Sequence, residues 1–171
     1  MQKKKPRKKI RVVFICTGNT CRSPMAVGIL ADMLAGRELG HLVSICSAGL
    51  MAAAGLPASP EAIAVCADRG IDIGGHRSRQ LTEKIIKEAD LLLVMQKTHL
   101  AMMSQNRQAV DKDLRLLGEF HPDSGGILDI LDPFGGGNEM YRLIFDHLRE
   151  CMKGLVDYLL ERLENGAVEK K

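Results

Sequence analysis

The chain has 171 residues, of which 46% are hydrophobic, 26% charged and 4% aromatic, with 17 Gly and 6 Pro. That length suits one domain with a sizeable core, and the composition excludes collagen-like and low-complexity chains. No run approaches the roughly 18 apolar residues of a membrane helix, and five cysteines without a secretory signal point to free thiols.

The net charge of +3 is unevenly spread. Lys3, Lys4, Lys5, Arg7, Lys8, Lys9 and Arg11 stand together without an acid. Removing those seven from 24 basic residues leaves 17 against 21 acids, a body at −4. The apolar run that follows is broken at Thr17, too short for the roughly 7–15 residues of a signal core, so a cytoplasmic protein is expected. Residues 1–10 are read as a disordered basic arm. It has the charge to contact a polyanion but no interleaved aromatic for base stacking.

Arg11 to Cys16 predicts a short buried strand. Ser23-Pro24 opens a helix whose apolar stripe is Met25, Ile29, Leu30, Met33 and Leu34, ending at Gly36 or Gly40. Leu42 to Cys46 predicts a second strand, and the Gly/Ala/Pro-rich stretch 48–59 a loop. Ser59-Pro60-Glu61 caps a helix that runs to Gly70. Leu81–Ala89 predicts a helix, Asp90–Met95 a strand, 97–109 a helix and Leu114–Leu117 a last strand. A loop from His121 to Gly137 precedes a long amphipathic helix marked by Met140, Ile144, Leu148, Cys151, Leu155, Leu159 and Leu163. Alternating strands and helices imply an α/β fold: a single domain with a four-stranded parallel sheet and helices on both faces.

In such a sheet, ligands sit beyond the C-terminal ends of the strands. There the chain reads Cys16-Thr17-Gly18-Asn19-Thr20-Cys21-Arg22-Ser23, a C-x5-R loop leading into a helix. Small residues let successive N–H groups converge into a nest for a phosphate-like dianion, reinforced by the helix N-terminus. The same field favours the nucleophilic thiolate at Cys16, and the Arg22 guanidinium suits two phosphoryl oxygens. A zinc half-site is the competing reading of Cys16 and Cys21, but no second Cys or Cys/His pair accompanies it; a buried, inert Cys16 is another. No metal or cofactor is expected. Further along, Asp132-Pro133-Phe134-Gly135-Gly136-Gly137 offers a general acid on a constrained loop, with Asp129 as its competitor.

The segments CTGNTCRSPMA, Ser47-Ala48-Gly49 and DPFGG together resemble the low-molecular-weight protein tyrosine phosphatase family, over roughly Val12 to Leu163. The resemblance implies a phosphatase domain at 11–166, a C-terminal tail at 167–171, and a phosphorylated protein as substrate. Cys16 would form a phosphocysteine and Asp132 would serve as acid, then base. Thr17, Gly18, Asn19, Thr20, Cys21 and Ser23 would line the phosphate site with Arg22, and Phe134 would flank the substrate. Asn19 would hold the loop through a network with Ser23, Ser47 and His76, the last on a looser match. Cys21 would be able to form a reversible disulfide with Cys16; Cys46, Cys66 and Cys151 read as packing residues.

The loop CTGNTCRS with DPFGG resembles the family's protein-arginine phosphatase branch. Threonine at position 20 replaces a bulkier aliphatic residue, and no aromatic pair follows Asp132-Pro133. Phosphoarginine is therefore the expected substrate, with phosphotyrosine as the alternative. A thioredoxin-coupled arsenate reductase would need distal shuttling cysteines, for which only Cys66 and Cys151 are candidates. A catalytically dead module would be expected to have lost Cys16, Arg22 or Asp132.

Overall fold

A computed structural model describes residues 9–123, 125 and 128–168. Nearly all of the basic arm and the last residues of the C-terminal tail lie outside that range. The β-branched run at the start becomes β1, Ile10–Cys16, and the sharp turn at 17–21 delivers the chain into α1, Arg22–Ala35. β2 is Val43–Gly49, α2 Pro60–Ala67, α3 Glu83–Glu88, β3 Leu91–Val94, α4 Lys97–Ser104 and β4 Asp113–Leu116. A 3-10 turn at Leu117–Phe120 precedes α5, Gly137–Val168. All four strands are parallel, in the order β2-β1-β3-β4.

Two apolar layers sandwich the sheet. On one side Val12 and Phe14 pack with Met25, Ile29 and Leu30 of α1, Val65 of α2 and Phe145, Leu148, Met152 and Leu155 of α5. On the other, Val13, Ile15, Leu92 and Val94 pack with Ile86 of α3 and Met103 of α4. β1 thus buries both faces, as a central parallel strand must. Each fully buried large aliphatic side chain contributes about 1.5–3 kcal/mol. Cys66 and Cys151 are fully buried; Cys46, expected in the core, is only half-buried because it lies on the edge strand β2. Among the described residues, no helix is long and apolar enough to cross a membrane.

Two of the boundaries that differ from expectation have a visible cause. β2 continues three residues past Cys46, because Ser47, Ala48 and Gly49 pair with Phe14, Ile15 and Cys16. Gly49 permits this approach: a Cβ there would lie 2.6 Å from the Thr17 carbonyl oxygen and 2.7 Å from Ala52 Cβ. α4 stops at Ser104, well short of position 109. The Asn106 side chain accepts the Gln108 N–H at 2.9 Å, a local turn that competes with continuing the helix.

Candidate active site

The register brings Cys16, Gly49, Val94 and Leu116 to the same end of the sheet, and the loop 17–21 rises from it. Cys16 is buried, with its sulfur 3.0 Å from Ser23 Oγ and 3.3 Å from the Asn19 N–H. Ser23 Oγ already accepts from Asn19 Nδ2 at 2.8 Å, so its own proton is free to point at the sulfur. Two donors therefore converge on the Cys16 sulfur. Among the described residues, the backbone N–H groups of Thr17, Gly18, Thr20, Cys21 and Arg22 have no acceptor within the protein. Unpaired donors gathered at a helix N-terminus make an anion cradle.

Asn19 is completely buried and holds φ at +57°, the left-handed region that Asn tolerates better than most residues. Its Nδ2 donates to Ser23 Oγ and, at 2.9 Å, to Ser47 Oγ. Its Oδ1 accepts the Arg79 N–H at 2.9 Å, which settles the amide orientation. The remaining tie is to its backbone: His76 Nε2 lies 2.7 Å from the Asn19 carbonyl and must carry the proton there. Burial, the first influence, and Arg79 and Arg77 hold the His76 pKa below the ordinary imidazole value, while that hydrogen bond works the other way.

The segment around His76 braces the loop more widely than a histidine match conveys. Arg79 Nε donates to the Ser47 carbonyl at 2.8 Å, and Gln80 pairs with Gly49 in a parallel bridge. The Gln80 side chain donates to the Leu50 carbonyl and accepts the Ala52 N–H. Nothing in the local pattern of residues 76–80 marks Arg79 or Gln80. Their partners are some 30 residues away and meet them only once β2 is in place.

Arg22 is buried to 2% exposure, and both of its terminal nitrogens are engaged. One terminal nitrogen donates to Gln96 Oε1 at 2.8 Å and to the Ile130 carbonyl at 3.1 Å; the other meets Asp132 Oδ2 at 2.6 Å. Asp132 itself is 46% exposed, facing the mouth of the site. Its other oxygen accepts the Phe134 N–H, and Phe134 stands 82% exposed beside it. Asp129 has a different occupation, accepting the Lys97 N–H at 2.9 Å and so capping α4. The two carboxylates that compete in sequence are thus separated in space by what they hold.

Cys21 is buried with its sulfur 3.1 Å from Tyr141 Oη and 3.6 Å from Ser59 Oγ, and Ser59 Oγ also bonds Tyr141 Oη at 3.1 Å. Burial, followed by the hydrogen bond with Cys21, raises the Tyr141 pKa well above its ordinary value. Thr20 is half-buried at the rim, with its hydroxyl 3.7 Å from Cys21 Sγ. Burial pushes Cys66 and Cys151 up to about 12. Among the described residues, no three His, Cys, Asp or Glu side chains gather as a metal site requires.

Residues 11–166 match the family model described as low molecular weight phosphotyrosine protein phosphatase. The chain is 40% identical to a protein-arginine-phosphatase of Geobacillus stearothermophilus, over 90% of this chain and 96% of that one. It is 35% identical to low molecular weight protein-tyrosine phosphatase A of Mycobacterium tuberculosis, over 92% and 96% respectively. Among solved structures it resembles YwlE arginine phosphatase, in a Cys-to-Ser mutant whose active-site serine is phosphorylated. That match has a TM-score of 0.80 and 32% identity, covering 90% of this chain and 99% of the other. With a loop that converges two donors on a cysteine and a model match spanning nearly the whole domain, the chain belongs to the low-molecular-weight protein tyrosine phosphatase family and is a protein phosphatase.

Proposed function

We propose that the chain removes phosphoryl groups from arginine side chains of proteins through a phosphocysteine at Cys16. The observation that carries the chemistry is the ring of unpaired N–H groups around Cys16, closed by Arg22. A phosphoryl group entering that ring competes for the Arg22 fork and frees Asp132 to face the leaving group. The Cys16 thiolate attacks phosphorus as the P–N bond breaks, and protonated Asp132 gives its proton to the departing guanidine nitrogen. Water then attacks the phosphocysteine and surrenders a proton to the Asp132 carboxylate. The S–P bond breaks, inorganic phosphate leaves and the thiolate is restored. The charge on the phosphoryl oxygens is met throughout by the loop N–H groups and Arg22. The phosphorylated serine of the YwlE mutant supports attack from the position that Cys16 takes here.

The substrate assignment rests on the rim. Thr20 places a hydroxyl where an aliphatic wall would favour an aryl ring, and Phe134 stands exposed beside Asp132. The arginine-phosphatase relative supports the same reading. Phosphotyrosine is the second reading, and the mycobacterial relative supports it. Rates on matched phosphoarginine and phosphotyrosine peptides decide between them, with arsenate reduction as a third arm. A higher kcat/KM on phosphoarginine is expected; a higher one on phosphotyrosine overturns the assignment. The fully buried Cys66 and Cys151, on α2 and α5, weigh against cysteine shuttling in arsenate reduction.

The loop-support roles of Ser47 and His76, and a Cys21 able to bridge to Cys16, belong to the same proposal. Ser47 and His76 reach Asn19 directly, the first by side chain and the second through the carbonyl. Cys21 follows Cys16 by five positions in the same loop, where its sulfur is in polar contact with Tyr141 and Ser59.

A further inference from the structure

His99 lies in the first turn of α4, 4% exposed, and neither its sequence neighbours nor any motif marks it. Its Nε2 is 3.0 Å from Thr17 Oγ1. Its Nδ1 is buried without any partner, the only such side-chain N or O among the described residues. Burial first, and then the Arg22 charge, lower its pKa, with Asp132 and Asp129 opposing. The ring is therefore neutral at neutral pH and carries one N–H.

Where that proton sits follows from the orphaned atom. A buried N–H without an acceptor is rarer and costlier than a buried lone pair without a donor. The proton is accordingly on Nε2, which donates to Thr17 Oγ1, and Nδ1 is left as a bare acceptor. Thr17 is then gripped on two sides. Its carbonyl accepts the Met51 N–H at 2.9 Å and its hydroxyl accepts from His99, while its own N–H has no acceptor among the described residues. The same helical turn grips the far end of the loop through Gln96 and Arg22, and Asp129 of the acid loop caps it at Lys97.

We propose that His99 is a positioning residue for phosphate binding: by donating through Nε2 to the Thr17 hydroxyl, it fixes the first peptide of the loop with its N–H turned into the anion cradle. The proposal rests on the phosphatase reading of that loop but not on which phosphorylated residue is the substrate.

The test uses the full chain, competitive inhibition by inorganic phosphate, and turnover of an activated aryl phosphate that suits either substrate class. His99→Ala and Thr17→Val should each raise the phosphate Ki and the KM about tenfold, the scale of one lost hydrogen bond, with kcat within about threefold. The double variant should also lose about tenfold, not about a hundredfold, because both changes remove one interaction. His99→Gln puts an amide N–H near the Nε2 position and should restore Ki to within about threefold of the parent. His99→Asn, whose amide stops near the Nδ1 position, should not. Additive losses in the double variant, or equal behaviour of Gln and Asn, overturn the proposal. If His99→Ala does not fold, the Thr17→Val, His99→Gln and His99→Asn proteins carry the same contrast. Absence of aryl phosphatase activity in the parent chain would instead overturn the phosphatase reading.

Discussion

Replacing Asn19 by alanine removes three side-chain hydrogen bonds at once, to Ser23, Ser47 and the Arg79 N–H. The two hydroxyls retain other partners or can rotate, but the Arg79 N–H loses its acceptor in a part-buried site. Taking about 1–3 kcal/mol for that N–H and about 0.5–1 for each hydroxyl bond gives roughly 2–5 kcal/mol. Alanine must also hold the φ of +57° that Asn19 adopts, at about 1 kcal/mol more. The total, about 3–6 kcal/mol, is a large part of the roughly 5–15 kcal/mol of a typical domain. For a domain of this length it corresponds to a fall in Tm of about 6–24 °C. Urea unfolding of the parent, Asn19→Ala and Asn19→Gly separates the two contributions. Glycine loses the same hydrogen bonds but accepts the left-handed backbone, so it should be more stable than alanine by about 0.5–1 kcal/mol. A loss below about 1 kcal/mol for alanine, or a glycine variant less stable than the alanine one, refutes the reasoning.

Asp132→Asn should slow turnover of a poor leaving group by about 10²–10⁴-fold and an activated aryl phosphate much less. Asp129→Ala should leave the chemical step within a few-fold and lower stability by about 1 kcal/mol through the α4 cap; equal kinetic losses would reassign the acid. Thr20→Ile should move the ratio of kcat/KM values from phosphoarginine toward phosphotyrosine, and an unchanged ratio removes the basis for the substrate assignment. His76, His99 and His147 all titrate below the ordinary value of 6.5, chiefly through burial. Below about pH 6.5 the unfolded chain therefore binds protons that the folded one resists, so stability is full above that pH and falls on acidification until the folded pKa values are passed. The urea midpoint should be lower at pH 5.5 than at pH 7.5, a window above the range where Asp113 protonates; a midpoint independent of pH across it contradicts the burial argument.

The parts of the site legible in sequence are those whose chemistry is local. Cys16 to Ser23 carries nucleophile, cradle and clamp in eight consecutive residues, and the turn between a β-branched strand and a Pro-led helix requires no knowledge of the rest of the chain. The four strands and five helices were legible for a similar reason, since their apolar periodicities are short-range. Boundaries set by tertiary contact were not: β2 runs on to Gly49 because of what Gly49 approaches across the sheet. The same holds for the residues that hold the loop from outside. Gln96, His99, Arg79, Ser59 and Tyr141 reach it across 38 to 120 positions of chain. Among the distant residues, Asp132 announced itself because a carboxylate beside a proline gains meaning once a C-x5-R loop is present, whereas Ser47, His76 and Phe134 entered through the family resemblance.

The central claim is that phosphate transfer passes through a covalent bond to the side chain at position 16. It is tested most directly by intact and peptide mass spectrometry of Cys16→Ser after incubation with phosphorylated substrate. A serine there attacks slowly and its phosphate ester resists hydrolysis, so a single phosphoryl group on that side chain should accumulate while steady-state turnover is abolished. Sustained turnover by this variant, or a phosphoryl group accumulating on a different residue, would contradict the account.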